Sequence, residues 1–281
     1  RDLVRSRGLG DVYKRQQNTH RIAVGEPLGQ FYGYITEGLY QVDDFNYDAS
    51  TQTYTLKDGI PYHGDKGQIR PGMWKFKNLT GDDNVIDEND KTVIGNAQPK
   101  FYGGLNNSFT YKGFDLSIFL TFSYGNEVLN ATKLVTSKVG SLNYNALDVM
   151  NSSNRWMTIN SDGQKVTDPG ELAALNAGKT VAAYHDAQQG DNYIHSWAVE
   201  DASYLKLSNV TLGYTFPKNL IARVGLKNLR LYATGNNLLT WTKYSGFDPE
   251  VSTMKSGLTP GVDFGAYPLS RSFIFGLNVA F

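Results

Sequence analysis

The densest group of oxygen-bearing side chains in this 281-residue chain is the segment NLTGDDNVIDEND, from Asn78 to Asp90. Calcium is bound by several oxygen atoms that are spaced along one tight loop. The second half of the segment keeps the spacing of loop positions 5, 6, 7, 9 and 12, which are Asp83, Asn84, Val85, Asp87 and Asp90. The first half fits only after a one-residue insertion that aligns Asn78 and Thr80, and an asparagine as first ligand removes one charge.

Two interpretations of this segment stay open. The first is a polar turn in water, whose Asp and Asn side chains accept hydrogen bonds from nearby backbone N–H groups. The second is a calcium site, whose ligands would be Asn78, Thr80, Asp83, Val85, Asp87 and Asp90. No cofactor other than calcium is predicted.

The other chemistry-bearing residues form no catalytic or metal-binding pattern. The chain has no cysteine, and its four histidines, none of which pairs with another at i, i+4, do not suggest zinc. They are His20, His63, His185 and His195. The sequence contains no nucleophile elbow, Walker loop or dinucleotide-binding glycine motif. Carboxylate pairs such as Asp43–Asp44, or Asp248 with Glu250, occur in any polar loop, so we predict that the protein is not an enzyme.

Three tryptophans, Trp156, Trp197 and Trp241, lie in or beside polar segments. An exposed indole ring could stack on a sugar, whereas a buried one would only pack the loop, and packing is the commoner role. We therefore assign no substrate-binding residue from the sequence.

The composition narrows the class of protein. The 27 basic residues balance the 27 acidic ones, which argues against a nucleic-acid-binding surface. No run of about 18 apolar residues is present, so a membrane-spanning helix is not predicted. Barrel strands give no such run, because their lipid-facing residues alternate with polar residues that face the lumen.

The clearest structural signal is alternation of apolar and polar side chains. At the carboxyl end every second residue is apolar, over Phe273, Phe275, Leu277, Val279 and Phe281. Two longer runs, Phe101–Lys112 and Phe114–Tyr124, alternate in the same way and flank a tight Lys112-Gly113 turn. Each run has about the 9 to 11 residues that a tilted membrane strand needs, with aromatic rings near its ends.

Further strands are predicted at Gly29–Gln41, Met73–Leu79, Ser203–Phe216 and Asn228–Leu239, with a small hairpin around Thr51–Leu56. The apolar phase changes near Ser208-Asn209, which indicates a β-bulge. A short helix is predicted at Gly170–Ala177, and Pro217–Lys227 is predicted to be a turn. The sequence therefore predicts an all-β fold: six or seven antiparallel strands of a transmembrane β-barrel, forming an open curved sheet with long extracellular loops.

Five segments, taken in order, resemble the carboxyl-terminal part of the SusC/RagA family of TonB-linked outer membrane proteins. They are GEPLGQFYGYITEGLYQ (Gly25–Gln41), NLTGDDNVIDENDKTVIGNAQPKFYGGLNNSFTYKGFDLSIFLTFSYGNEVLN (Asn78–Asn130), SYLKLSNVTLGYTFP (Ser203–Pro217), GNNLLTWTKYSGFDPE (Gly235–Glu250) and YPLSRSFIFGLNVAF (Tyr267–Phe281). The resemblance extends over residues 19–281.

The resemblance implies a barrel of about 22 strands with an internal plug. Such a barrel lies among the lipids of the cell outer membrane and imports large nutrients, either oligosaccharides or peptides. A SusD-like lipoprotein would cover its extracellular mouth, and TonB would supply energy through a segment near the family's amino terminus. The family often has Asp and Gly where this chain has Asn78 and Asn84, which weakens the match to a calcium loop.

Residues 1–16, RDLVRSRGLGDVYKRQ, are basic and lack the periodicity of the rest of the chain. We interpret them as a non-native or disordered tail, and residues 17–281 as the carboxyl-terminal portion of a TonB-dependent receptor barrel. A sheet with two open edges is not expected to fold stably alone, since barrel closure normally removes those edges.

A secreted all-β carbohydrate-binding module is the competing interpretation. In such a module an apolar row would pack against a second sheet, whereas in a barrel it would face lipid. The row in question is Leu116, Ile118, Leu120 and Phe122. An autonomous small porin is disfavoured, because bacterial barrels of one chain have an even number of strands.

Overall fold

In a computed structural model, residues 19–81, 83–137, 147–183, 193–254 and 256–281 are described. Residues 1–16, interpreted above as a tail, lie outside them. The chain divides into two compact units. The first unit comprises Arg1–Asn96, Leu129–Val199 and Met254–Gly265, and the second comprises Ala97–Val128, Glu200–Thr253 and Ala266–Phe281.

Strands dominate both units. Among the described residues they are β1 (His20–Arg21), β2 (Gln30–Gly33), β3 (Thr36–Leu39), β4 (Phe45–Asp48), β5 (Thr53–Leu56), β6 (Tyr62–His63), β7 (Trp74–Phe76), β8 (Val85–Ile86), β9 (Thr92–Asn96), β10 (Phe101–Tyr111), β11 (Phe114–Tyr124), β12 (Glu127–Asn130), β13 (Val199–Asp201), β14 (Tyr204–Thr215), β15 (Asn228–Thr242), β16 (Val262–Asp263) and β17 (Ser272–Ala280). The helices are α1 (Ala131–Thr136), α2 (Pro169–Leu175) and α3 (Lys218–Ile221). No helix of the described residues has the length and apolar character needed to cross a membrane.

The first unit is built from short strands. Strands β1, β2 and β9 form one sheet, β3 pairs with β7, β4 with β5, and β6 runs parallel to β8. Helix α2 begins at Pro169, and the Asp168 side chain accepts a hydrogen bond from the Glu171 N–H at 3.0 Å. This helix confirms the prediction at Gly170–Ala177, and the β4–β5 pair confirms the hairpin around Thr51–Leu56.

Among the described residues of the first unit, two clusters of buried apolar side chains form much of the interior. The larger contains Tyr34, Leu39, Val42, Trp74, Phe76, Ile86, Trp156, Val166, Leu172, Ala182 and Ala183. The second contains Tyr40, Phe45, Leu56, Ile69 and Met73. Close packing needs a glycine at position 72, where a Cβ atom would lie 2.3 Å from the Trp156 ring. Aromatic residues of this unit thus form an interior.

The second unit is one five-stranded antiparallel sheet in the order β10-β11-β14-β15-β17. Strands β10 and β11 are joined by the predicted turn, in which Lys112 has φ 46° and Gly113 has φ 89°. Two positive φ values identify a hairpin turn that matches the twist of the strands. The predicted strands Phe101–Lys112 and Phe114–Tyr124 are confirmed.

The predicted bulge is also present in this sheet. The pairing of β14 shifts on both of its sides at Ser208, between Leu207 and Asn209. The Ser208 hydroxyl lies 2.6 Å from the Thr121 hydroxyl, so this extra residue points to the same side as Asn209. As a result, Leu207 and Val210 both stay on the opposite side of the sheet.

Some predicted elements differ in the structure. Gly29–Gln41 forms two strands, β2 and β3, that pair with different partners in the first unit. Met73–Leu79 supplies only the three-residue β7. Over the described residues the continuous sheet has five strands, where six or seven were expected, because these two segments belong to the compact first unit instead. Pro217–Lys227 is more than a turn, since it contains α3 and one further turn of 3₁₀-helix.

Candidate functional site

The pairing registers put apolar side chains from all five strands on one side of the sheet. One row across the strands is Phe109, Leu116, Leu212, Ala233 and Phe275. The next row towards one strand end contains Tyr111, Phe114, Tyr214, Leu231 and Leu277. Towards the other end follow a row with Ile118, Val210 and Phe273 and then a row with Leu105, Leu120, Leu207 and Leu239. We call this side the apolar face.

Much of the apolar face is exposed. Phe275 is 81% exposed, Phe109 58% and Leu212 49%. None of Leu116, Ile118, Leu120 and Phe122 is buried. An apolar surface that extends over five strands marks a place where lipid or another protein meets the chain.

The opposite side of the sheet, which we call the polar face, carries hydrogen-bonding side chains. Arg230 Nε donates to Asp115 Oδ1 at 3.0 Å, and a second contact joins Arg230 Nη2 to Asp115 Oδ2. Gly213 makes room for this ion pair, because a Cβ atom there would lie 2.4 Å from Arg230 Nη2. The Thr211 and Thr234 hydroxyls are 2.9 Å apart. A side with paired charges and hydroxyls suits a watery lumen.

Aromatic rings lie at both ends of the apolar face. At one end the rings of Phe101 and Tyr124 stack with centroids 5.0 Å apart, and at the other Phe114 lies 4.5 Å from Tyr214. The strand from Phe114 to Tyr124 rises about 25 Å, for about 3.3 Å per residue and a tilt of about 40°. That height matches the apolar band of a membrane barrel. The spacing of the rings is therefore that of two interfacial girdles.

The segment Asn78–Asp90, which we call the acidic segment, ends at Asp90, whose side chain is fully buried. Its Oδ1 accepts hydrogen bonds from the N–H groups of Leu79 at 2.7 Å and Thr80 at 3.0 Å, and its Oδ2 accepts one from the Asp87 N–H at 2.8 Å. Burial opposes ionisation, yet these donors hold the pKa of Asp90 below its usual value. Asp90 therefore fixes the backbone of the segment as a carboxylate.

The other predicted calcium ligands also bind nearby backbone. Asn78 accepts from Gly81 at 2.7 Å, Asp83 from Val85 at 2.9 Å, and Asp87 from Asn89 at 2.7 Å, each through the backbone N–H. Over the described residues, no three His, Asp or Glu side chains converge on a point that could hold a metal. These contacts are the ones expected of a polar turn, and the calcium site stays a prediction.

The described histidines are buried, and their surroundings were not predictable from spacing. His20 contacts the Pro260 carbonyl at 2.9 Å, and His195 contacts the Thr36 hydroxyl at 2.8 Å. Both ring nitrogens of His63 are buried, and no described residue forms a hydrogen bond with either of them. Burial lowers the pKa of His63 to about 4. Burial also lowers the pKa of His195 to about 3, and the charges of Lys133 and His63 lower it in the same direction. His185 lies outside the described residues.

Three of the four carboxylates named as catalytic candidates, Asp44, Asp248 and Glu250, are engaged in structural contacts. Asp44 forms an ion pair with Lys75 at 3.2 Å. Glu250 binds the Lys206 ammonium and accepts a hydrogen bond from the Tyr204 hydroxyl at 2.6 Å. Asp248 accepts from the Glu250 N–H at 3.0 Å. These side chains hold loops in place.

The three tryptophans have different environments. Trp156 is 1% exposed, and Trp197 packs against Trp74 with ring centroids 4.9 Å apart. The Lys133 ammonium lies 4.1 Å from the centre of the Trp197 ring. Trp241 is 52% exposed, and its register with Leu205 places it on the apolar face. Loop packing, the commoner role, therefore holds for Trp156 and Trp197.

A cavity in the first unit was missed by sequence reasoning. It has a volume of about 610 Å³ and lies where β5 approaches the segment 155–167. Its floor contains the buried residues Trp156, Val166 and Leu172, and its lining includes Arg70, Arg155 and Lys165. The residues that form it are far apart in the chain, and only folding brings them together.

Comparisons with known proteins agree with this geometry. TonB-dependent receptor P3 of Formosa agariphila is 33% identical over 271 residues, which are 95% of this chain and 23% of that protein. TonB-dependent receptor P39 of the same organism is 31% identical over 97% of this chain and 27% of its own length. TonB-dependent receptor SusC of Bacteroides thetaiotaomicron is 29% identical over 78% of this chain and 18% of its own length. The chain thus spans about a quarter of these relatives or less.

Solved structures show the same fold. The RagAB peptide transporter matches 90% of this chain and 22% of the other chain, with a TM-score of 0.57 and 23% identity. The RagAB peptide importer in the closed-closed state gives a TM-score of 0.58 at 21% identity, over 90% of this chain and 23% of the other. No protein-family model matches the chain. The all-β barrel segment predicted from the sequence is confirmed. The relatives are named as receptors, in agreement with the prediction that the protein is not an enzyme.

Proposed function

The chain is a SusC/RagA-type segment of a TonB-dependent receptor of the outer membrane, and on this premise we propose that the complete receptor imports large nutrients. The nutrients would be oligosaccharides or peptides. The segment supplies part of the barrel wall, and its mechanism is passage through a gated pore, without bond chemistry.

The observation that carries this proposal is the two-sided sheet. Its apolar face continues across five strands and ends in aromatic rings, while its polar face carries the Asp115–Arg230 ion pair. In water, such an apolar surface would be unfavourable by about 25 cal/mol for each Å² that lipid would otherwise cover. In a membrane the same face meets hydrocarbon and the polar face lines the channel.

The competing carbohydrate-binding module fits this sheet less well. That module needs the row from Leu116 to Phe122 to be buried between two sheets. Those side chains are only partly buried, and Phe273, which lies in the same cross-strand row as Ile118, is 67% exposed. The exposure of this face favours the barrel wall.

Two partners are part of the proposal. A SusD-like lipoprotein would cover the extracellular mouth of the receptor, and TonB would drive import from the inner membrane. Support comes from the names of the relatives, which include a TonB-dependent SusC and the RagAB peptide transporter. A tagged receptor purified from gently solubilised membranes should retain the lipoprotein. Recovery of the receptor without a lipoprotein would contradict the proposed partnership.

Uptake by intact cells tests the import function. A strain that lacks the receptor gene should lose uptake of a labelled oligosaccharide or a labelled peptide, and a plasmid copy of the receptor should restore it. Uptake of a monosaccharide serves as control, because small sugars pass through general porins. Dissipating the proton gradient should abolish the restored uptake. Unchanged uptake of both large labels in the deletion strain would contradict the proposal.

A further inference from the structure

A groove on the apolar face of the second unit lies between two walls of aromatic rings. Phe101, Phe122 and Tyr124 of strands β10 and β11 form one wall, and Trp241 of β15 forms the other. Strand β14 lies between them in the sheet. The volume of the groove is about 520 Å³, which is typical of a site for a small molecule. We call it the girdle groove.

The girdle groove lies at the end of the sheet that carries the long connections. There residues 125–203 join β11 to β14, and residues 243–271 join β15 to β17. The opposite end has the tight Lys112-Gly113 turn and the shorter segment 216–227. Membrane barrels have short periplasmic turns and longer extracellular loops. The groove is therefore placed in the outer leaflet, at the level of the lipid headgroups.

Polar side chains complete the upper part of the groove. The Asp201 carboxylate accepts a hydrogen bond from the Ser203 N–H at 2.9 Å. Asp201 lies outside the five strands of the sheet, and hydrogen bonds from Ser203, aided by the charge of Lys243, hold its pKa below the ordinary value. Over the part of the chain that the structure describes, the exposed Lys243 ammonium forms no hydrogen bond or ion pair. The groove thus offers a charged acceptor and a charged donor.

This combination of side chains suits the headgroup of a glycolipid. The flat rings of Trp241 and Tyr124 can cover the C–H face of a sugar, as aromatic side chains do with other flat apolar groups. Sugar hydroxyls both donate and accept hydrogen bonds, so they need an acceptor such as Asp201 and a donor such as Lys243.

The apolar face continues from the groove towards the middle of the sheet. The row that follows the rings contains Leu120, Leu207 and Leu239. Acyl chains attached to a sugar in the groove would cover these side chains and remove them from water. An amphipathic lipid therefore fits both parts of this surface, whereas a free sugar fits only the upper part.

We propose that the girdle groove binds a glycolipid of the outer leaflet, with the sugar headgroup between Tyr124 and Trp241 and the acyl chains along the apolar face. The occupant is a lipid because the groove opens on the side of the sheet that faces the membrane, away from the polar face. Binding depends on the position of the sheet in the membrane and not on import, so it is tested separately from the proposed function.

The test is native mass spectrometry of the purified full-length receptor in detergent, with three added probes. These are lipid A, phosphatidylethanolamine and the free glucosamine disaccharide without acyl chains. Lipid A should bind at least about tenfold more tightly than phosphatidylethanolamine, because its sugar hydroxyls add hydrogen bonds that the other lipid lacks. The free disaccharide should bind more weakly still, because it covers none of the apolar face.

Variants locate the site. Trp241→Leu keeps an apolar side chain towards the membrane but removes the flat ring, and should weaken lipid A binding about fivefold. Lys243→Met, beyond the end of β15, should weaken it about tenfold through loss of the charged donor. Phe109→Leu is the matched control, since Phe109 is a similarly exposed ring of the apolar face outside the groove, and it should bind like the wild type.

Three results would overturn the proposal, provided that heat-modifiable gel mobility shows each variant folded. The first is equal binding of lipid A and phosphatidylethanolamine, which indicates ordinary lipid contact. The second is binding of the free disaccharide as tight as that of lipid A, which indicates a site for a soluble sugar. The third is lipid A binding by Lys243→Met that equals the binding by the wild type.

Discussion

The buried imidazole of His63 should make the first unit sensitive to acid, and His63→Leu in the full-length receptor should relieve part of that sensitivity. His63 is 2% exposed and packs against Phe76 and Tyr193, with ring centroids 5.0 and 5.5 Å away. Among the described residues, neither ring nitrogen has a hydrogen-bond partner that could stabilise a proton. Leucine has nearly the same volume and removes both unpaired nitrogens.

The size of the effect depends on the pKa of His63, which burial lowers to about 4 from the ordinary 6.5. Below pH 6.5 the unfolded state takes up a proton that the folded state refuses until about pH 4, so stability falls as the pH falls through this window. The loss is about 1.4 kcal/mol per pH unit, or about 2 kcal/mol at about pH 5. At neutral pH the variant should be at least as stable as the wild type, because an unpaired buried polar group costs about 1–3 kcal/mol.

Hydrogen exchange measures this difference in the intact receptor. Protection of the peptides that contain the buried cluster is compared at about pH 8 and about pH 5, after correction for intrinsic exchange rates. The pH-dependent loss of opening free energy should be smaller in His63→Leu by about 2 kcal/mol. The part of the loss that comes from the buried His195 should remain in both proteins. Met73→Leu, a buried substitution without a titrating group, is the control and should lose as much as the wild type. Equal losses in His63→Leu and wild type would refute the argument.

Three further predictions concern the sheet and the acidic segment. Ile118→Lys on the apolar face should lower the stability of the receptor in the membrane by about 2–4 kcal/mol, and should lower the fraction of receptor with heat-modifiable gel mobility. Ser117→Lys, its neighbour on the polar face, should be tolerated. Equal effects of the two substitutions would contradict the orientation of the sheet. Glu250→Gln should destabilise the receptor by about 3 kcal/mol in thermal unfolding because Lys206 is buried opposite it, and adding Lys206→Met should recover most of the loss. Millimolar calcium should raise the Tm of the wild type and not that of Asp83→Asn with Asp87→Asn if the segment binds calcium, and no rise in the wild type leaves only the polar turn.

How far the sequence predicts this structure depends on what covers each strand. Strands β10, β11 and β17 are predicted almost to the residue, since one side is apolar and the other polar and the period of two is plain. The bulge at Ser208 is visible because it changes that phase. In contrast, the sequence predicts β2 and β3 as one strand, because buried aromatic residues such as Phe31 and Tyr34 leave no polar side to mark the break.

The candidate sites show the same limit. Local contacts in the acidic segment can be anticipated, since Asp and Asn bind backbone within a few residues of themselves. The cavity cannot, because Tyr54 and Lys165 are far apart in the chain and meet only through tertiary packing. His63 gives no signal either, as its unusual pKa comes from burial alone.

Both units contain many aromatic side chains, but these are buried in the first unit and exposed in the second. The length of the strands explains this difference. Strands of two to five residues in the first unit are too short to cross a bilayer, so their aromatic side chains stabilise the fold by packing inward, as Phe31 and Phe76 do. Strands of 9 to 15 residues in the second unit are long enough to cross, and there Phe109 and Phe275 point outward. An outward aromatic row is tolerable only where water is absent, so the exposure that would be a defect in a water-soluble domain becomes the condition for a stable barrel wall.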